Sequence, residues 1–293
     1  MNENVIKNEY GYYELAVKPS EELLRKYYEQ KYYQNNESNY QQSYTNEELF
    51  FFRNKIMQKH YVISLLLSNL MNLNLLDVGC GEGWALQYFE EHGWNVLGLD
   101  FSSFGIDKCN PSIAGKLIVG NIYENLCTLK EQKYNVILLD NVLEHVIDPL
   151  ALLRQLTDKM HDDSVLIITV PNDFSILQQY LLKKQHCTQP FWVCPPDHIS
   201  YFNSEGLSKL CHAAGLEKKY EIADFPIDFN LLNPDTNYFL DKTKGKNVHL
   251  ARVELENLYC EISIPKTVEL YKSLAKLGLG RNITAFFQLD QKK

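Results

Sequence analysis

The sequence lacks the features that mark a secreted or membrane protein. Its seven cysteines are scattered and include no Cys-x-x-Cys pair, and its first residues lack the charged and then apolar order of a signal peptide. The longest uncharged run, Tyr61 to Leu76, is interrupted by asparagines and is shorter than the roughly 20 apolar residues that a membrane-spanning helix needs. We therefore expect a cytoplasmic protein with free thiols and no membrane span.

The sequence also lacks a surplus of basic residues. Lysine and arginine together number 29, against 37 aspartate and glutamate residues, which gives a formal net charge of −8. A nucleic-acid-binding face needs clustered positive charge, so we expect a small-molecule partner and no nucleic acid. At 293 residues, the chain is long enough for a full α/β core with one cap or insertion.

The sequence does contain a glycine-rich stretch between an apolar run and a helical pattern. The run Leu75–Val78 is followed by glycines at alternate positions, Gly79, Gly81 and Gly83. Alternate glycines after a buried strand are typical of a backbone that turns tightly and approaches a ligand closely. A second apolar run ends at Asp100, about 20 residues downstream, where α/β nucleotide-binding folds place the acid that binds ribose hydroxyls.

The spacing of the glycines distinguishes between two kinds of nucleotide site. A dinucleotide fingerprint has the order G-x-G-x-x-G, but Trp84 occupies the third glycine position of that register. An NAD(P)-dependent oxidoreductase is therefore the weaker alternative. The order present is D-x-G-x-G-x-G, which begins at Asp77.

This order resembles motif I of the class I S-adenosylmethionine-dependent methyltransferases. Downstream, Asp100, Gly120-Asn121 and Leu143-Glu144-His145 resemble the later motifs of that family, in the same order. The tyrosine-rich N-terminal segment looks like that of bacterial sugar and polysaccharide methyltransferases. The resemblance implies S-adenosylmethionine as the cofactor and a hydroxyl of a small molecule as the acceptor, such as a sugar or a nucleotide-sugar. A methyltransferase fold that serves as a non-catalytic interaction module is a further alternative.

Apolar runs alternate with helical patterns, which predicts an α/β fold with a doubly wound, mostly parallel sheet. The resemblance implies a Rossmann-like sheet of seven strands, of which the last two form an antiparallel pair. A helix is predicted from Pro19 to about Tyr33, because acidic residues that follow Pro19 favour the first turn of a helix. We divide the chain into an N-terminal helical cap or lid (1–70), a cofactor-binding core (71–224), an inserted helical lid or oligomer contact that allows a homodimer (225–281), and a last core strand with the C-terminus (282–293).

The resemblance also implies the residues of the cofactor site. Asp77 is expected at the methionine ammonium, Asp100 at the ribose hydroxyls and Asn121 at the adenine amino group. The full predicted set is Asp77, Gly79, Cys80, Gly81, Gly83, Asp100, Phe101, Asn121, Ile122, Asp140 and Asn141.

Two histidines are candidates for the general base that an alcohol acceptor requires. His198 lies in the loop after the fifth predicted core strand, and His145 lies in the loop after the fourth. In similar methyltransferases a histidine at the place of His198 faces the substrate, so His198 is the preferred base and His145 the rival. A structural role for either histidine is the alternative. Because a sulfonium already activates the methyl group, no metal is predicted.

Overall fold

The computed structural model describes residues 4–24, 26–27, 44–129 and 132–291. Within these residues the chain forms ten strands in two sheets. The strands are β1 (Val5–Lys7), β2 (Tyr13–Leu15), β3 (Asn74–Val78), β4 (Asn95–Asp100), β5 (Leu117–Val119), β6 (Tyr134–Asp140), β7 (Met160–Pro171), β8 (Ser200–Tyr201), β9 (Leu216–Ala223) and β10 (Asn282–Leu289).

The larger sheet has seven strands in the order β5-β4-β3-β6-β7-β10-β9. Strands β3 to β7 are parallel to one another. Strand β10 is antiparallel to both β7 and β9. At its centre Leu76 pairs with Leu97 on one side and with Ile137 on the other. The predicted doubly wound, mostly parallel sheet with a final antiparallel pair is confirmed.

Helices cover both faces of this sheet, which is why its central strands are near-continuous apolar runs. At the start of the long helix Asn46–Leu66, Thr45 forms a capping box with Glu48, which satisfies backbone N–H groups of the first turn. Among the described residues, no helix is long and apolar enough to cross a membrane. The helices are α1 (Asn46–Leu66), α2 (Trp84–Glu91), α3 (Phe104–Cys109), α4 (Ile122–Thr128), α5 (Pro149–Thr157), α6 (Ile176–Lys183), α7 (Ser204–Ala213), α8 (Gly245–Ile262) and α9 (Ile264–Lys276).

Strand β7 is longer than its apolar pattern suggests. The apolar run predicts a strand over Val165–Val170, whereas the strand begins at Met160. Its extra part contains the exposed residues 161–163, whose polar side chains interrupt the hydrophobic pattern. Backbone pairing continues there, because Tyr134 pairs with Met160 at the start of β6.

The N-terminal part contains an element that the sequence analysis missed. Residues 21–24 and 26–27 are helical, which agrees with the predicted helix start after Pro19; the rest of that predicted helix lies outside the described residues. Before it, β1 and β2 form an antiparallel hairpin, and β2 also pairs with β8. Strands of two or three residues are too short to show a period-two pattern, so this small sheet was not predicted.

The sequence pattern of the insertion at 225–281 predicts helices near Asn247–Tyr259 and Lys266–Leu277, with Gly278 as a C-terminal cap. Both helices are present, as α8 and α9. Gly278 follows α9 with a φ of +70°, the left-handed C-terminal cap that was predicted. Helix α8 lies along α1, where Asn54 Nδ2 donates to Asn257 Oδ1 at 3.0 Å. The insertion is therefore in direct contact with the long helix that leads into the central sheet.

A buried carboxylate stabilises this contact. Glu256 of α8 forms an ion pair with Lys55 of α1 and accepts hydrogen bonds from Arg252 Nε at 2.7 Å and the Tyr271 hydroxyl at 2.6 Å. Burial alone would raise the pKa of Glu256, but the ion pairs with Lys55 and Arg252 outweigh burial and lower it. The stabilisation is thus present above the unfolded pKa and is lost as the pH falls through the lower folded pKa.

We expect Glu256→Gln to lower the free energy of unfolding at pH 7 by about 3 kcal/mol, because it removes a buried charge and leaves two partly buried cations without this counter-charge. Urea denaturation measures this change. The exposed Glu254 on the same helix supplies the control, since Glu254→Gln should change stability by less than about 0.5 kcal/mol. The difference between wild type and Glu256→Gln should shrink below about pH 4; a difference that does not vary with pH would contradict the charge argument.

Candidate active site

The glycine-rich loop lies where the carboxyl ends of β3, β4 and β6 meet. Gly79 and Gly83 have φ values of +76° and +77°. A Cβ atom at Gly79 would lie 2.3 Å from Val142 Cγ2, and one at Gly83 would lie 2.8 Å from Ile113 Cδ1. Both positions therefore require glycine for conformation and for space. Since Gly83 is the N-cap of α2, the loop brings backbone N–H groups to this edge of the sheet.

Asp100 closes the other side of this loop from the end of β4. Its Oδ2 accepts the Gly81 N–H at 2.8 Å and its Oδ1 accepts the Ser102 N–H at 3.1 Å. Burial raises the pKa of Asp100, although these backbone N–H groups lower it in part. The carboxylate therefore braces the loop, and it lies at the position where the ribose-binding acid was predicted.

Asp77 and Asp140 bring two more carboxylates to the same edge. Asp77 is buried, and burial and the neighbouring Asp140 raise its pKa well above the usual range, while Lys59 lowers it. Lys59 extends from α1 and forms an ion pair with Asp140. The sequence analysis missed Lys59, because a lysine in a helical pattern is usually a solvated surface residue. No local signal identifies this contact, since its partners are 81 residues apart.

The other predicted cofactor residues differ in burial, hydrogen bonding and backbone conformation. Cys80 is buried, whereas Phe101 is 40% exposed. Asn121 Oδ1 accepts the Tyr123 N–H at 2.9 Å and caps α4, so its carbonyl already has a structural role. Ile122 opens that helix, and Asn141 adopts a left-handed conformation with φ +53°, which asparagine tolerates better than most residues.

Both candidate catalytic histidines lie together, beyond the end of β6. The ring centroids of His145 and His198 are 4.8 Å apart and nearly perpendicular. His145 Nδ1 lies 2.7 Å from the carbonyl oxygen of Asp197. Because a carbonyl oxygen only accepts, Nδ1 must carry the hydrogen, and Nε2 of the neutral ring is the basic atom. The fold thus joins two loops that the sequence analysis considered as rival locations.

Glu144 lies beside this histidine pair. Its carboxyl group is 1% exposed, and burial raises its pKa to about 8, with a smaller contribution from Asp173 and Asp197. Its Oε1 is 3.7 Å from His145 Nε2, which is too long for a hydrogen bond. Glu144, His145 and His198 each offer one possible ligand atom, and these atoms lie within 4.8 Å of one another. The sequence analysis predicted no metal, but these three side chains form a group that could hold one ion.

Comparison with known proteins identifies the family of the chain. A family model for a methyltransferase domain matches residues 33–221, which is more than half of the chain. Among curated proteins, the chain is 30% identical over 81 residues to an O-antigen chain terminator bifunctional methyltransferase/kinase of Escherichia coli, covering 26% of this chain and 11% of the relative. It is 28% identical over 123 residues to a ubiquinone biosynthesis O-methyltransferase of Actinobacillus pleuropneumoniae, covering 39% and 52%.

Two further matches cover more of the chain. A tRNA 5-carboxymethoxyuridine methyltransferase of Escherichia coli is 22% identical over 207 residues, covering 64% of this chain and 73% of the relative. The crystal structure of a putative sarcosine dimethylglycine methyltransferase from Galdieria sulphuraria superposes with a TM-score of 0.51 at 14% identity, over 91% and 98% of the two chains. The structural likeness shows a shared fold. The chain spans only 11% and 52% of the first two relatives.

The fold and the matched domain define a methyltransferase. More particularly, the chain belongs to the class I S-adenosylmethionine-dependent methyltransferases, as its D-x-G-x-G-x-G order indicated. The matched domain is therefore that of a methyltransferase, with S-adenosylmethionine as the cofactor. The oxidoreductase alternative is set aside by this membership.

If Asp100 binds the ribose hydroxyls, Asp100→Ala should weaken binding of S-adenosylmethionine by at least about 1.5 kcal/mol, because charge-assisted hydrogen bonds are lost. Calorimetric titration measures the change, which corresponds to roughly tenfold in Kd. The exposed Asp107, one helix turn into α3, is the matched control, and Asp107→Ala should bind as wild type does. Equal affinity in the two variants would contradict the ribose assignment.

Glu144 should make stability depend on pH. Because its folded pKa of about 8 lies above its unfolded value of 4.5, the folded state binds the proton more tightly, and stability falls as the pH rises between these values. Glutamine mimics the protonated form, so the free energy of unfolding of Glu144→Gln should rise relative to wild type from pH 5 to pH 8. Urea denaturation at both pH values tests this, and a constant difference would be the contrary result.

Proposed function

We propose that this enzyme transfers the methyl group of S-adenosylmethionine to a hydroxyl oxygen of a small molecule, such as a sugar or a related metabolite. The acceptor oxygen attacks the methyl carbon, an O–CH₃ bond forms as the C–S⁺ bond breaks, and the sulfonium becomes a neutral thioether. The hydroxyl proton passes to a base on the enzyme. The protein must hold the oxygen in line with the C–S bond and accept that proton.

The observation that carries this proposal is the histidine pair beside the predicted cofactor site. Asp140 and Asn141 close β6, and the turn that carries Glu144 and His145 follows directly. Ligands of open α/β sheets bind outside the carboxyl ends of the strands. A methyl group presented at the end of β6 would therefore point toward the histidines.

The orientation of His145 supports it as the base. Its Nδ1–H donates to the Asp197 carbonyl at 2.7 Å, so the basic lone pair is on Nε2. The unprotonated nitrogen of a neutral imidazole can accept the proton of a bound hydroxyl group. His198, which the sequence analysis preferred as the base, packs edge-on against this ring. The substitution experiment that tests His145 as the base also tests His198.

Carboxyl groups around the histidines support a hydroxyl-bearing acceptor. Asp173 and Asp197 are close enough to Glu144 to raise its pKa, and carboxyl oxygens accept hydrogen bonds from hydroxyl groups. Arg281 does not form an open cationic site beside these carboxyl groups, because it forms an ion pair with Asp173 at 3.1 Å. Two of the relatives are an O-antigen chain terminator and a ubiquinone biosynthesis O-methyltransferase. Their names support a polysaccharide-related or small-molecule oxygen acceptor. A cytoplasmic location, a homodimer and the lack of a nucleic-acid partner stay predictions.

We expect His145→Gln to lower turnover by about 100-fold or more, the usual range for loss of a general base, with little change in cofactor affinity. His198→Gln is the matched variant and should cost less. Single-turnover rates at saturating cofactor measure both effects. The reverse order would assign the base to His198. Turnover that EDTA abolishes and a divalent cation restores would instead make the cluster a metal site.

A further inference from the structure

The N-terminal hairpin β1–β2 lies far from the catalytic loops in sequence but against them in space. Strand β2 pairs with β8, with Tyr13 opposite Tyr201 and Glu14 opposite Ser200. Strand β8 begins two residues after His198. In the strand order β1-β2-β8 the hairpin supplies an edge strand and the central strand, and the other edge strand, β8, belongs to the loop that carries this histidine.

Backbone hydrogen bonds continue this pairing through to the other histidine. The Leu15 N–H donates to the Ile199 carbonyl at 2.9 Å, and the Ile199 N–H donates to the Glu144 carbonyl at 2.8 Å. Ile199 is thus held on one side by the hairpin and on the other by the turn that contains His145. Since Asp197 precedes it by two residues, the same contacts set where the Asp197 carbonyl meets His145 Nδ1.

Side chains of the hairpin pack on the neighbouring loops. Tyr13 stacks on Phe174, with ring centroids 4.2 Å apart, and Phe174 follows the end of β7 with an unusual φ of +52°. Tyr12 is 2% exposed and packs on Phe202 at 4.4 Å. A Cβ atom at Gly206 would lie 2.7 Å from Tyr12 Cβ, so little free space separates the hairpin from α7.

We propose that residues 5–15 are a positioning element of the active site, which holds the His198 loop in register with Glu144 and His145. The proposal rests on the proposed role of the histidine pair. Two-residue strands are not stable alone, so β8 depends on the hairpin for its extended pairing. A displacement of about 1 Å in a catalytic group can cost about 100-fold in rate, whereas the glycine-rich loop and Asp100 make none of the hairpin contacts described here.

Two hairpin variants and one control test this proposal. Leu15→Pro removes the N–H that binds the Ile199 carbonyl, and Tyr13→Ala removes the stack on Phe174. Val17→Pro places the same proline two residues further along, at a side chain that is 86% exposed. We expect turnover to fall by about tenfold or more in the first two variants and to stay near wild type in the control, with the Kd for S-adenosylmethionine unchanged in all three.

Nitrogen NMR of the histidine rings gives a readout that needs no acceptor. Wild-type His145 should show the Nδ1–H tautomer, and both hairpin variants should shift it toward a mixture, with assignments from His145→Gln and His198→Gln. Wild-type turnover and an unchanged tautomer in Leu15→Pro and Tyr13→Ala would overturn the proposal. If Leu15→Pro loses cofactor binding through misfolding, Tyr13→Ala decides alone. A wild-type enzyme without methyl transfer to small molecules would refute the proposed function, while the NMR comparison would still decide this inference.

Discussion

The close approach of the glycine-rich loop to the end of β4 is the constraint on which the whole site depends. Gly79 N–H donates to the Leu99 carbonyl at 2.7 Å, and Gly81 N–H donates to the Asp100 carboxylate at 2.8 Å. On its other side the loop touches Val142, which leads into the turn of Glu144 and His145. The glycine backbone of this loop therefore sets the distance between the predicted cofactor residues and the histidine pair.

Charge is the second property that joins the two halves of the site. The carboxylates of Asp100 and Asp140 raise the pKa of Asp77, and the cation of Lys59 lowers it. Burial raises the pKa of both Asp77 and Asp100. The cofactor brings an ammonium and a sulfonium, which would offset the cost of holding buried carboxylates.

Two segments outside the central sheet support this site in different ways. Helix α8 packs on α1 through Glu256 and Lys55, and Lys59, one turn further along α1, reaches Asp140. The hairpin contacts the loop of His198, where β2 pairs with the strand that follows this histidine. Helix α1 therefore links the insertion to Asp140, and β2 links the N-terminal residues to the loop of His198.

Local patterns in the chain were enough to predict the parallel strands of the central sheet, the helices α8 and α9, and the glycine-rich loop, because periodicity and glycine spacing act over a few residues. The final antiparallel pair of the sheet was predicted from the family resemblance. Packing between distant segments decided the rest. Lys59 meets Asp140 across 81 residues, and His145 meets the Asp197 carbonyl across 52. The β1-β2-β8 sheet joins strands of three, three and two residues. A lysine in a helix or a two-residue strand carries no local signal of its partner, since that partner is chosen only when the sheet brings the loops together.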